Sequence, residues 1–148
     1  MFENELLKKI NDNIDKKKVM HSPAQLAYAG DAIYELLVRS HIINNHEYSV
    51  NQMHKQAIKF VKAKAQAELV KKLNPILTEE EIKIIKRGRN AKVTSSPKNA
   101  NLMDYRYATG FETLFGYLYL NNEFERLMML FNKIVNIIEK KDEKDENN

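Results

Sequence analysis

Cysteine is absent from this chain of 148 residues. That excludes a disulfide-stapled secreted fold and any zinc site built on thiolates. No apolar run approaches the length needed to cross a bilayer, and no charged-then-apolar leader opens the sequence; a soluble cytoplasmic protein is expected. Sustained alternation of apolar and polar residues is missing, so nothing argues for a strand. There is no glycine-rich phosphate loop, no nucleophile elbow and no helix-turn-helix spacing. The four histidines, His21, His41, His46 and His54, lack a metal-ligand arrangement. What is left is one all-α domain, long enough to bury a core.

Acid is missing from one stretch. Between Ile82 and Met103 there are six basic residues, Lys83, Lys86, Arg87, Arg89, Lys92 and Lys98, and no Asp or Glu. The formal charge of +4 hides a further asymmetry. Segment Glu139–Glu146 carries three Lys against five acids, a net of −2, so the body before it carries about +6. A basic body suits a polyanionic partner. The chain divides into a folded body, 1–138, and a charged tail, 139–148, whose composition predicts disorder.

Helical periodicity accounts for the rest. Amphipathic spacing predicts a first helix over Phe2–Lys18. A second runs from Pro23 to about Ile43, capped by Ser22, with most of its circumference buried. Ser49 with Gln52 starts a third, running to about Lys72, and Thr78 with Glu81 starts a short fourth that stops at Gly88. A fifth runs from about Leu102 to Leu120, is broken at Asn121-Asn122, and is followed by a last helix over Phe124–Ile138. Two of these helices carry an acid on an apolar surface. Asp31 sits beside Gly30, one turn after Ala27. Glu112 sits between Ala108 and Thr109 on one side and Gly116 on the other. Unpaired carboxylates in such places are costly unless they pair or hold a cation. Small neighbours let the two helices cross closely and bring Asp31 and Glu112 together. Two carboxylates with water and a substrate phosphate suffice for a hard cation such as Mg²⁺. The plainer reading makes Asp31 a structural carboxylate paired with Arg39 or a lysine, and Glu35 an ion-pair partner of Arg39.

Leu26-Ala27-Tyr28-Ala29-Gly30-Asp31-Ala32-Ile33-Tyr34-Glu35 resembles the signature segment of the ribonuclease III catalytic domain, and Phe111-Glu112-Thr113-Leu114-Phe115-Gly116-Tyr117-Leu118-Tyr119-Leu120 is similar to its second acidic helix. The short chain, with no double-stranded-RNA-binding domain after the catalytic part, resembles more narrowly the Mini-ribonuclease III branch. So do Tyr34-Glu35 and the segment Lys86-Arg87-Gly88-Arg89-Asn90-Ala91. The resemblance implies a homodimeric endonuclease that cuts double-stranded RNA with Mg²⁺, for which Mn²⁺ can substitute, leaving 5′-phosphate and 3′-hydroxyl ends. Asp31 and Glu112 fall on the family's metal-binding acids. Ala27 and Thr109 stand where full-length ribonuclease III has two more. The implied substrate is the precursor of large-subunit (23S) ribosomal RNA, with a ribosomal protein assisting. Lys86, Arg87, Arg89, Asn90, Lys92 and Lys98 are candidate RNA contacts. The alternative is a non-catalytic RNA-binding factor for ribosome assembly on the same scaffold.

Overall fold

The computed structural model describes residues 5–45, 47–91 and 101–147, and among these it contains helices and no strand. In chain order they are α1 (Glu5–Asp12), α2 (Lys16–Val19), α3 (Pro23–Asn45), α4 (Val50–Val61), α5 (Ala63–Leu73), α6 (Glu79–Arg89), α7 (Leu102–Leu120) and α8 (Phe124–Glu146), with a 3₁₀ turn over Asn74–Ile76. No helix among the described residues is long and apolar enough to cross a membrane.

The predicted caps form. Ser49 and Gln52 exchange side-chain and backbone hydrogen bonds at the start of α4 (3.2 and 2.9 Å), and Thr78 and Glu81 do the same for α6 (3.1 and 2.9 Å). Ser22 Oγ accepts from the Gln25 amide at 3.3 Å. The Asn121-Asn122 break is real as well, with Asn122 in the left-handed region at φ 59°.

The core is built around α7, which packs on α3, α5, α6 and α8. Phe111, Leu114, Phe115 and Leu118 are fully buried there with Leu130, Phe131 and Ile134 of α8. Tyr34 of α3 is central to them. Its ring meets Phe111 and Phe115 edge-on, with centroids 4.8 and 5.2 Å away.

The Tyr34 hydroxyl also corrects a boundary, because the predicted third helix is two helices. At Lys62 the backbone is extended (φ −64°, ψ 148°), which ends α4 and starts α5. The Tyr34 hydroxyl donates to the Phe60 carbonyl at 3.0 Å, satisfying an acceptor that the interrupted helix cannot. The bend turns α5 away from α4 and lays it against α7.

Three further expectations are revised. The predicted first helix breaks after Asp12: Asn11 is buried, its amide bonded to the Tyr119 carbonyl (2.8 Å) and Asn122 Oδ1 (3.2 Å), and Asp15 caps the separate α2. The second helix is buried on one side only, since Tyr28 and Leu36 are exposed. The segment predicted as a disordered tail continues α8 to Glu146, docked by His41–Glu139 (3.0 Å), Lys59–Asp142 (3.2 Å) and Lys141–Glu68 (3.4 Å).

Gly88 does not end α6; it is buried inside it. All four glycines of the chain lie in helices at crossings with α7. A Cβ on Gly30 would stand on the Glu112 carbonyl oxygen and 2.8 Å from the Gly116 nitrogen. One on Gly116 would stand on the Leu26 carbonyl oxygen, so α3 and α7 touch backbone to backbone. On the other side of α7, a Cβ on Gly88 would meet Thr113 and one on Gly110 would lie 2.6 Å from the Ile85 carbonyl oxygen.

Gly→Ala in an unobstructed helix stabilises by about 1 kcal/mol. At Gly30 and Gly116 the sign should reverse. Each Ala substitution should cost about 2 kcal/mol or more through overpacking against immovable backbone, a fall in Tm of about 5 °C or more in a chain of this size. A thermal melt in which either variant gains stability would contradict the contact.

Candidate active site

The glycine contact between α3 and α7 determines where the acids meet. Asp31 follows Gly30 directly, and the carbonyl under Gly30 belongs to Glu112 itself. Asp31 reaches solvent, whereas the Glu112 side chain is half-buried in the crossing. The charges interact. Burial pushes the Glu112 carboxyl up to about 8, and repulsion from Asp31 and then Glu35 adds to the effect. Burial, and then the charge on Glu35, also raises Asp31 above the ordinary carboxylate range. The structure therefore brings together Asp31 and Glu112, with Glu35 contributing field. Glu35 is tied to Arg39 through Nε at 3.1 Å, the ion-pair partner predicted for it.

Such a cluster suits a hard cation in its chemistry. Every donor is an oxygen, the carboxylates repel one another, and the most buried of them is held in its protonated range without a counter-charge. Among the described residues no group of three or more His, Cys, Asp or Glu side chains stands in a ligating array. The protein would therefore supply two carboxylates, Asp31 and Glu112, leaving the other positions to water and substrate. Neither of the positions that lack the family's further acids can substitute. Ala27 is buried without a donor group. The Thr109 hydroxyl is turned into its own helix, donating to the Tyr105 carbonyl at 3.0 Å.

One residue at the site was not singled out by the sequence reading. Gln66, in the first turn of α5, is 1% exposed, and its side chain acts on the Glu112 carboxyl, holding it lower than burial alone would. It lies between Ala65 and Ala67 on a buried face, a polar residue among small ones. Asp31 and Glu112 carry the same local signal.

The basic residues behave differently from one another. Lys86 and Arg89 of α6 line a groove with Lys71, Asn74 and Tyr107. The Arg89 guanidinium lies over the Tyr107 ring at 5.6 Å and its Nε donates to Asn90 at 3.1 Å, which holds it in one orientation. Arg87 is turned elsewhere, its Nη2 donating to the Met20 carbonyl at 2.9 Å at the end of α2. Lys92 and Lys98 lie outside the described residues.

Comparison with known proteins identifies the family. Residues 24–123 match the model of the Ribonuclease III domain, a span that contains both acids. The chain is 51% identical over 119 residues to the Mini-ribonuclease 3 of Clostridium tetani, covering 80% of this chain and 79% of that protein. It is 51% identical over 118 residues to the Mini-ribonuclease 3 of a Thermoanaerobacter species, covering 80% and 83%. The crystal structure of a Fusobacterium nucleatum protein superposes with a TM-score of 0.69 at 34% identity, covering 82% of this chain and 94% of that one. With two acids brought to one helix crossing inside the matched span, the chain belongs to the Mini-ribonuclease III branch of the ribonuclease III family.

Proposed function

We propose that this chain is a Mg²⁺-dependent endoribonuclease that cuts double-stranded RNA, and that its substrate is the precursor of 23S ribosomal RNA. The observation that supports this most directly is the α3–α7 crossing, which holds Asp31 beside a half-buried Glu112. Asp31 and Glu112 would hold the metal. Bound there, Mg²⁺ neutralises charge at the scissile phosphate and acidifies the attacking water. No side-chain nucleophile is needed, and hydrolysis leaves 5′-phosphate and 3′-hydroxyl ends. Lys86 and Arg89 hold the flanking backbone, and recognition rests on A-form shape and 2′-hydroxyls rather than base edges. A ribosomal protein on the substrate would sharpen the choice of site. Mn²⁺ would substitute for Mg²⁺, and the reaction would take place in the cytoplasm.

Two strands call for two sites, and a second copy of the chain would supply the other. Its docking surface would be the apolar groove between α3 and α4, where Ile43 (62% exposed) and Val50 (69% exposed) sit with Met53 and Ile58. Glu35, one turn from Asp31, lies at the same groove, so a partner seated there would adjoin the acid cluster.

The second reading, a non-catalytic assembly factor, draws on Ala27 and Thr109. The deciding experiment is cleavage of a precursor ribosomal RNA stem by purified protein at low salt, with Mg²⁺ and with chelator. Metal-dependent cutting should fall by at least about 100-fold in Asp31→Asn and in Glu112→Gln, beyond what loss of an outer-shell partner costs. Binding without cleavage in every condition would favour the assembly factor.

The acids also predict a pH signature in the metal-free protein. Glu112 moves from an ordinary 4.5 to about 8. Its protonated form is the one the fold favours. The associated stability is therefore complete below pH 4.5, declines as pH rises, and is lost above about pH 8. Mg²⁺ should raise Tm little at pH 5 and clearly at pH 8. Glu112→Gln should stabilise the metal-free protein at pH 8 by about 1–3 kcal/mol, allowing for partial exposure, and should abolish the Mg²⁺ response.

RNA affinity should fall steeply with salt, and Arg89→Ala should reduce the slope of log K against log salt by about one. An unchanged slope in a binding titration would remove Arg89 from the RNA surface.

A further inference from the structure

Gln66 is held in a place that packing alone would give to an apolar side chain. Ala65, Ala67, Leu69, Val70 and Leu73 surround it along the buried face of α5. Its side chain favours the charged form of Glu112, while its Oε1 is buried with no hydrogen-bond partner among the described residues. An unsatisfied buried acceptor is destabilising, and a methionine of similar length would avoid that cost. The amide also acts on a carboxylate with two competing demands, since one oxygen can accept a hydrogen bond while the other faces a cation. Two features aim it there. The Tyr34 hydroxyl takes the Phe60 carbonyl, and the extended Lys62 lets α5 start afresh against α7.

We propose that Gln66 is a positioning residue for the metal site, its side-chain amide fixing the Glu112 carboxylate in the orientation that ligates a divalent cation. The inference rests on the metal-binding reading above and extends it to a residue that contacts neither metal nor RNA in that reading. Outer-shell partners of this kind orient the ligand and typically change metal affinity by 10- to 100-fold when removed.

The test is a Mg²⁺ titration of the full chain followed by thermal melting, comparing the wild type with Gln66→Met and Glu112→Gln. Gln66→Met should melt at or above the wild-type temperature without metal. The Mg²⁺ concentration giving half of the thermal shift should rise at least about 10-fold, and the Mg²⁺ requirement for cleavage should rise with it. A variant that melts lower but keeps the wild-type Mg²⁺ midpoint would show a packing role and overturn the proposal. Should Gln66→Met fail to fold, the side-chain amide resonances of Gln66 in the wild type decide. They should move on addition of Mg²⁺, and the movement should vanish in Glu112→Gln; resonances that stay still would overturn it. A wild-type protein whose melting ignores Mg²⁺ would overturn the metal reading itself, and the role of Gln66 with it. A responsive wild type beside an unaltered Gln66→Met would overturn the role of Gln66 alone.

Discussion

The backbone contact between α3 and α7 is the constraint on which the rest of the molecule depends. Two helices with ordinary side chains at the crossing stay 8–10 Å apart. Here Gly30 faces the Glu112 carbonyl and Gly116 faces the Leu26 carbonyl, with no Cβ between them. That closeness puts the side chain of Asp31 and the side chain of Glu112 within each other's field. It also buries Glu112 far enough to lose much of its hydration. A methyl group on either glycine would separate the helices and weaken the interaction between the two carboxylates. Folding thus depends on the same atoms that would set the affinity of the proposed metal site.

The arrangement works against the stability of the metal-free chain. Like charges meet in a partly desolvated crossing, and the cost appears as a carboxyl that keeps its proton far above its ordinary range. The surrounding core offsets it. Tyr34, three residues after Asp31, is buried among Phe111, Phe115 and Phe131, so the helix that carries one acid is anchored by apolar contact to the helix that carries the other. The same tyrosine fixes the bend before α5 through its hydroxyl. Hydrophobic packing of one side chain therefore supports both the crossing and the approach of Gln66.

Sequence patterning revealed the helices and the crossing because both are written locally. Capping boxes at Ser49 and Thr78 depend on residues three apart, and small residues flank each acid within one turn. What the pattern did not reveal depends on distant partners. The division of α4 from α5 has no proline or glycine to mark it, and it rests on a hydroxyl that is 26 residues away. The break after α1 rests on Asn11 reaching the end of α7, 108 residues on. Gly88 reads as a helix stop in isolation and becomes a contact surface only when Gly110 and Thr113 lie against it. Segment 139–146 has the composition of a solvated tail, yet its charges find Lys59, Glu68 and His41 on neighbouring helices. Gln66 was missed because an amide carries no charge, although its small neighbours gave the same signal as those of Asp31 and Glu112.

The glycines on the other side of α7 give the site its relation to the basic surface. Gly110 admits the Ile85 carbonyl, and Gly88 admits Thr113, so α6 also packs tightly on α7, though less closely than α3 does from its own side. Lys86 and Arg89 belong to α6, while Asp31 and Glu112 belong to the crossing of α3 with α7. Neither set can move relative to the other without α7 bending or a glycine contact opening. Close packing transmits displacement instead of absorbing it. A polyanion gripped by α6 would therefore be presented to the acids at a fixed offset. On the proposed reading, one central helix would serve as the reference both for where a backbone is held and for where it is cut.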